Sequence, residues 1–307
     1  MPSTILGIAE DCKGRIWIAS FMDGCGWIDR NSGSYHRLKC TYGRASSVFD
    51  VAIDRSNNLW VGTMGDGLKR INLNTNKITE YKKVGNVVND KANSICNNYI
   101  AQMLLSKDNN RLYVGTSAGL SCLDLKTGSW KSIFGVSCIL PDQAIAAISE
   151  DGKGNVWTGT PEVLFCINLH SRNIKKYTAD NGLSDNSVSA IETDKKGNIW
   201  VSTSHGISCL TKSNGKIINY YAGYGLQGNE FSEGVSSSDS NGNIVVGGMG
   251  GIAIFNPSKI QMYRTNLPIY ISNFRIGGEY VTAGMKSGSY TITDSSVMNT
   301  STFELNH

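Results

Sequence analysis

Proline is scarce in this chain, at 5 of 307 residues, histidine scarcer still at 4, and only 18% of residues carry a charge. With no GxSxG elbow, no HExxH pair and no glycine loop built to cradle phosphate, nucleophilic, metal-assisted and phosphoryl-transfer chemistry have no motif to rest on. The 8 cysteines show no CxxC spacing, so a thiolate metal site is excluded, and no cofactor is expected. A net charge of +4 spread over scattered lysines and arginines offers no basic stripe for nucleic acid. No apolar run reaches the roughly 18 residues that a membrane-spanning helix needs. The opening, MPSTILGIAED, lacks the basic-then-apolar build of a signal peptide. Helical periodicity is missing throughout, which leaves an all-β class.

What the chain has in quantity is glycine, 34 residues, and a repeat. Short apolar strands recur as Ile16-Trp17-Ile18, Leu59-Trp60-Val61, Leu112-Tyr113-Val114, Val156-Trp157-Thr158, Ile199-Trp200-Val201 and Ile244-Val245-Val246, with centres 43, 53, 44, 43 and 45 residues apart. Six residues before each centre stand Asp11, Asp54, Lys107, Asp151, Asp194 and Asp239; an Asp there can accept the amides of the following turn. Three before the centre come Gly14, Asn57, Asn110, Gly154, Gly197 and Gly242, types that tolerate positive φ. Two after it come Ala19, Gly62, Gly115, Gly159, Ser202 and Gly247, small as crowding near an axis requires.

Two further turns per period bring the count to four strands, the make-up of a propeller blade. The central aromatic is read as packing between blades. Cys122, Cys166 and Cys209 recur six residues after Thr116, Thr160 and Thr203, and are read as buried free thiols because equivalent blade positions lie too far apart to bridge. The expected fold is an all-β propeller of six four-stranded blades over residues 1–262. With the first blade opening on its inner strand, Ile5 to Ala9, the expectation is a fragment of a ring of seven blades or more, or six blades closing alone or with the tail's help.

The stretch NGLSDNSVSAIETDKKGNIWVSTSHGISCL, 181 to 210, resembles the two-component regulator propeller repeat, and YGLQGNEFSEG, 224 to 234, is similar to the passage before the last blade of that family. Residues 266–275, NLPIYISNFR, resemble the opening of the triple-tyrosine domain, an immunoglobulin-like sandwich, so 263–307 is expected to hold only its first strands. The resemblance implies the periplasmic, ligand-sensing region of a hybrid two-component histidine kinase, a membrane-anchored and homodimeric parent whose ligands are often glycan breakdown products. The kinase is not in this sequence, and the chain itself is expected to be no enzyme.

The expected ligand face is the rim made by loops between second and third strands and between blades. Asp23, Asp66, Glu162, His205 and Met249 fall in the former, and Arg44, Trp130, Tyr224, Asn229 and Glu230 in the latter. The binding set chosen is Arg44, Trp130, Glu162, His205, Tyr224, Asn229 and Glu230, with Trp130 and Tyr224 as aromatic platforms for a sugar. Trp130 fits packing between blades equally well, Asn229 and Glu230 fit loop hydrogen bonding, and Asp23 and Asp66, each before a glycine, fit turn formation. Two other functions stay open: a protein-binding scaffold, and a propeller lyase of the streptogramin-inactivating kind, for which His205 and Glu162 would have to serve as acid and base.

Overall fold

An aspartate closes the turn between the first two strands of nearly every repeat. In the computed structural model, which describes residues 2, 4–38, 47–84, 93–130, 136, 138–260, 272–297 and 303, Asp54 Oδ1 accepts the amides of Ser56 and Asn58 at 3.0 and 2.9 Å. Asp11, Asp151, Asp194 and Asp239 hold the same turn. Gly14, Asn57, Gly154, Gly197 and Gly242 all have positive φ there. The third repeat corrects the sequence alignment. Its turn is one residue longer, so Ser106, not Lys107, accepts the turn amides of Asn110 and Arg111, and Asn109, not Asn110, takes φ 57°.

The carboxylate's other oxygen reaches into the sheet. Asp11, Asp54 and Asp194 Oδ2 accept the indole N–H of Trp17, Trp60 and Trp200 at 3.0, 2.9 and 3.0 Å. A buried indole thus keeps its hydrogen bond while its ring packs between blades. Burial pushes the Asp11 carboxyl up, but the Trp17 indole and the Arg15 and Lys13 donors outweigh it and hold it below the usual value.

Six antiparallel sheets follow one another, each with strands in chain order. Blade one is Ile5–Glu10, Ile16–Ser20, Gly24–Ile28 and Tyr35–Arg37; blade two is Val48–Ile53, Asn58–Thr63, Leu68–Asn72 and Ile78–Tyr81. Blade three shows Ile100–Leu105, Arg111–Thr116 and Gly119–Asp124 among the described residues. Blade four is Ala147–Glu150, Asn155–Gly159, Leu164–Asn168 and Ile174–Tyr177; blade five is Val188–Thr193, Ile199–Thr203, Gly206–Leu210 and Ile217–Tyr220. Blade six shows Phe231–Ser238, Ile244–Gly248 and Gly251–Phe255. First strands neighbour one another in that order, which places them at the axis. The chain is a six-bladed β-propeller, and the described residues hold no helix beyond short 3-10 turns.

Each blade buries one face against the next. Trp157, Leu164 and Cys166 of blade four pack on Val188, Ile191 and Ile199 of blade five, and Trp60 and Leu68 of blade two on Ile100, Met103 and Leu112 of blade three. The small-residue column is set by this contact. A Cβ on Gly62 would meet Ile100 Cγ2 at 2.7 Å, one on Gly115 would meet Ile145 Cγ2 at 2.7 Å, and one on Gly159 would collide with Val188. Cys122, Cys166 and Cys209 are buried, and none of them belongs to the disulfide described below.

First strands leave one edge unpaired, a liability that the next blade's neighbour answers with side chains. Asp50 accepts the Met103 amide at 2.7 Å, and Gln102 accepts the Ile148 amide at 2.7 Å. Gly7 makes room for this, since a Cβ there would lie 2.7 Å from Asp50 Oδ1. Burial pushes the Asp50 carboxyl up to about 7, against the pull of the Met103 and Val51 amides.

A disulfide joins Cys96, in the loop entering blade three, to Cys138, beyond that blade's third strand, 42 residues on. Neither cysteine belongs to a repeated column, so nothing in the repeat marks the pair.

A second compact unit spans Ile260–His307. Its described part has two short hairpins, Arg275–Ile276 with Glu279–Tyr280 and Lys286–Ser287 with Tyr290–Thr291. Val281, Ile292 and Val297 form its core. Most of the 266–275 segment that resembles a triple-tyrosine domain lies outside the described residues.

Candidate functional site

The hairpins between second and third strands are pinned by a buried threonine. Thr63, Thr116, Thr160 and Thr203 each donate Oγ1 to a carbonyl across the tip, at 2.6, 2.8, 3.0 and 3.0 Å. The same oxygens accept the amides of Asp66, Ala118, Glu162 and His205. Rigid tips therefore present these four side chains at corresponding places around one end of the propeller.

Glu162 and His205 are exposed there. The His205 ring lies 5.6 Å from that of Tyr221. Asp66 is spent structurally: Lys69 bridges it to Glu80 at 3.1 Å each, and Lys82 adds a contact of 2.7 Å. The Lys82 and Lys69 ammonium groups hold its carboxyl below the ordinary value. Asp23 accepts from Ser20 Oγ at 3.5 Å, and Met249 is exposed.

The inter-blade candidates fare differently. Trp130 is 2% exposed and stands edge-on to Tyr81, 5.7 Å between centroids, so its ring packs between blades two and three and presents no platform. Asn229 is engaged at both ends: its Oδ1 accepts the Ala222 amide and its carbonyl the Gly206 amide, each at 2.7 Å. Asn186 and Asn98 accept amides in the same way one and three blades earlier, at 2.7 Å each. Glu230 is exposed, while its carbonyl accepts the Met249 amide at 3.3 Å. Tyr224 ends a 3-10 turn, Ala222–Tyr224, and Arg44 lies outside the described residues.

A cavity of ≈ 320 Å³ opens where the first strands begin, lined by Leu6, Phe49, Tyr99, Ser117, Pro161, Glu233 and a small-residue wall that includes Ala101, Ala144 and Ala146. It gathers residues of blades one, two, three, four and six, which makes it the mouth of the central channel. Phe49 and Tyr99 stand 5.2 Å apart with planes tilted 54°, and Phe21 continues the row at 6.3 Å from Phe49. No described member of the sequence-chosen set lines this cavity. Tyr99 aligns with Ser47, Ala144 and Ser187 and so interrupts a column of small residues, whereas Phe49 aligns with Leu6 as well as with Ala101, Ala146 and Ser189. A cleft of this size, mostly apolar with few polar groups, suits a small ligand.

Chemically the mouth offers aromatic faces, a hydroxyl and a carboxylate. Among the described residues no group of three or more His, Cys, Asp or Glu could hold a metal ion. No helix among them is long and apolar enough to cross a membrane.

Residues 182–205, the entry loop and first two strands of blade five, match the family described as two component regulator propeller. No curated protein matches the chain in sequence. Among solved structures, one described as the extracellular domain of the one-component system BT4673 from B. thetaiotaomicron superposes with a TM-score of 0.63 at 20% identity, covering 81% of this chain and 32% of that one. The extracellular domain of the hybrid two-component system BT3049 from the same organism gives 0.55 at 17% identity, covering 92% and 44%. Virginiamycin B lyase from Staphylococcus aureus gives 0.58 at 12% identity, covering 84% and 86%. At these identities the likeness shows the β-propeller fold. The chain spans about a third and under half of the first two structures.

Proposed function

We propose that this chain is the ligand-sensing region of an extracytoplasmic two-component sensor, located in the periplasm and taking a glycan-derived ligand at the mouth of its propeller. The observation that carries the reading is the match of residues 182–205 to the two component regulator propeller. The Cys96–Cys138 disulfide supports an oxidising compartment, since such bridges persist outside the reducing cytosol. Phe49 and Tyr99 supply ring faces of the kind that stack on sugars, with Glu233 and Ser117 as hydrogen-bonding groups, and Glu162, His205 and Glu230 are exposed on loops that could add contacts. In this reading the 260–307 unit opens the triple-tyrosine domain, and signalling passes to a histidine kinase in a membrane-anchored, homodimeric parent.

A thermal-shift screen of the chain against oligosaccharides tests it, because a ligand that binds only the folded state raises Tm by mass action. Expected is a concentration-dependent rise with one glycan class. Failure of every glycan, together with stable capture of a protein partner, would move the assignment to a scaffold.

A further inference from the structure

Where blades four and five meet, three features that the other interfaces share are missing together. Just past the third strand, Leu73, Leu125 and Leu169 of blades two, three and four hold one place, and each packs on the core shared with the preceding blade. Their amides donate to carbonyls of the first turn, at Asn57, Asn110 and Gly154. Lys212 holds that place in blade five, and its amide donates instead to Asn198 Oδ1 at 3.0 Å. Two residues earlier, Leu210 stands where blade six has Phe255, whose ring packs 5.0 Å from that of Trp200. The shorter Leu210 faces Trp157. A cavity of ≈ 260 Å³ results, with Trp157, Tyr177, Ile199 and Leu210 as its apolar wall and Lys153 and Lys212 among its polar groups.

The third feature is the indole bond. Trp17, Trp60 and Trp200 donate to the turn aspartate, whereas the N–H of Trp157, a residue 7% exposed, has no acceptor among the described residues. Asp151, the one acid lining the cavity, is engaged by the Lys153 and Asn155 amides and the Asn155 side chain. Above this wall two cations converge. Lys153 Nζ and Lys212 Nζ lie 3.7 and 3.8 Å from the point that a Cβ on Gly197 would occupy. Among the described residues neither joins an ion pair. Like charges focused on one cleft draw an anion into it.

We propose that this cleft is a second binding site, which takes a small carboxylate bearing a single ring. The ring packs on Trp157 and Leu210, and the carboxylate accepts charge-assisted hydrogen bonds from Lys153 and Lys212. An apolar pocket with a few convergent polar groups is the usual form of a small-ligand site, and this volume holds one ring rather than an oligosaccharide. The cleft lies beside the first and third turns of its blades, at the end of the propeller away from the channel mouth. It therefore stands or falls independently of the sensing site proposed there.

The test follows the Trp157 indole resonance in nitrogen–proton correlation spectra, identified by its loss in Trp157→Phe. Benzoate and glucuronate are the probes, one aromatic and one a sugar ring; benzyl alcohol supplies a ring without charge and inorganic phosphate a charge without a ring. Expected is a saturable shift with at least one of the two carboxylates, half-complete at about 1 mM or below, and none with benzyl alcohol or phosphate at the same concentrations. Lys212→Leu, which restores the residue of blades two to four, and Leu210→Phe, which fills the cavity as Phe255 does in blade six, should each weaken binding about tenfold or more without lowering Tm. The proposal is overturned if neither carboxylate gives a saturable shift, or if phosphate shifts the resonance as well as they do, which would reduce the site to a pair of surface lysines. Full affinity in both Lys212→Leu and Leu210→Phe would overturn it as well.

Discussion

The Asp54 carboxylate and the Trp60 indole, six residues apart, meet at 2.9 Å and tie the turn of blade two to the ring that packs against blade three. The same oxygen pair also accepts two turn amides and the Asn58 side chain, so one short side chain takes five hydrogen bonds from four donor atoms. Removing it leaves a buried N–H unpaired as well as an open turn. Asp54→Ala is therefore expected to cost about 2 to 4 kcal/mol in urea unfolding. Asp239→Ala, in the blade whose centre is Val245 rather than Trp, should cost clearly less. Equal losses would deny the indole its part.

Asp50 gives the propeller a pH dependence of identifiable sign. Its folded carboxyl titrates at about 7, above the ordinary 3.8, so the folded state binds a proton that the unfolded state has already released. The Asp50 contribution to stability should be greatest below about pH 4, fall as pH rises through the interval up to 7, and level off above it. The residue keeps part of its surface exposed, which tempers the effect to about 1 to 3 kcal/mol. Asp50→Asn keeps an acceptor for Met103 and should abolish this contribution, read from unfolding curves at pH 4.5 and 7.5.

Gly115 meets Ile145 and Ile148 of the following blade, and an added methyl would sit 2.7 and 3.0 Å from them. Gly115→Ala is expected to destabilise by about 1 to 3 kcal/mol, since packed interiors pay for added volume with displaced side chains. Calorimetry that finds Gly115→Ala neutral would mean the blades separate more easily than their contacts suggest.

The Cys96–Cys138 bridge closes a loop around the whole of blade three. Loop-closure entropy for a span of that length amounts to about 4 kcal/mol, so Cys96→Ser should lower unfolding stability by a few kcal/mol without reductant and by little once reductant has opened the bridge in the unaltered chain. Thiol labelling of the folded protein should leave buried Cys122, Cys166 and Cys209 untouched, their reactivity suppressed further at Cys166 and Cys209, where burial pushes the thiols up to about 11 and about 12.

How far the sequence could be read follows from what repetition encodes. Columns that recur, Asp at the turn, Trp at the strand centre and glycine against the next blade, carry backbone and packing demands that every blade shares, so their roles were legible. Blade three misled because one inserted residue at its turn shifted Lys107 and Asn110 into places that Ser106 and Asn109 fill. The disulfide escaped because Cys96 stands where blade five has Ser184, whose amide likewise bonds a third-strand serine. Trp130 was chosen for its ring and proved to be filling between blades, while Asn229 proved to be a loop fastener with counterparts at Asn98 and Asn186. The mouth aromatics Phe49 and Tyr99 belong to no recurring aromatic column, so repetition does not mark them, and only the fold brings them together.

The most direct measurement is a calorimetric titration of the glycan identified by thermal shift against the unaltered chain, Tyr99→Ala and Glu162→Ala. Loss of about tenfold or more in affinity for Tyr99→Ala is expected, as removal of a stacking face entails, with Tm nearly unchanged and with a smaller loss for Glu162→Ala at the rim. Undiminished affinity in Tyr99→Ala would place the ligand elsewhere and contradict the channel mouth as the sensing site.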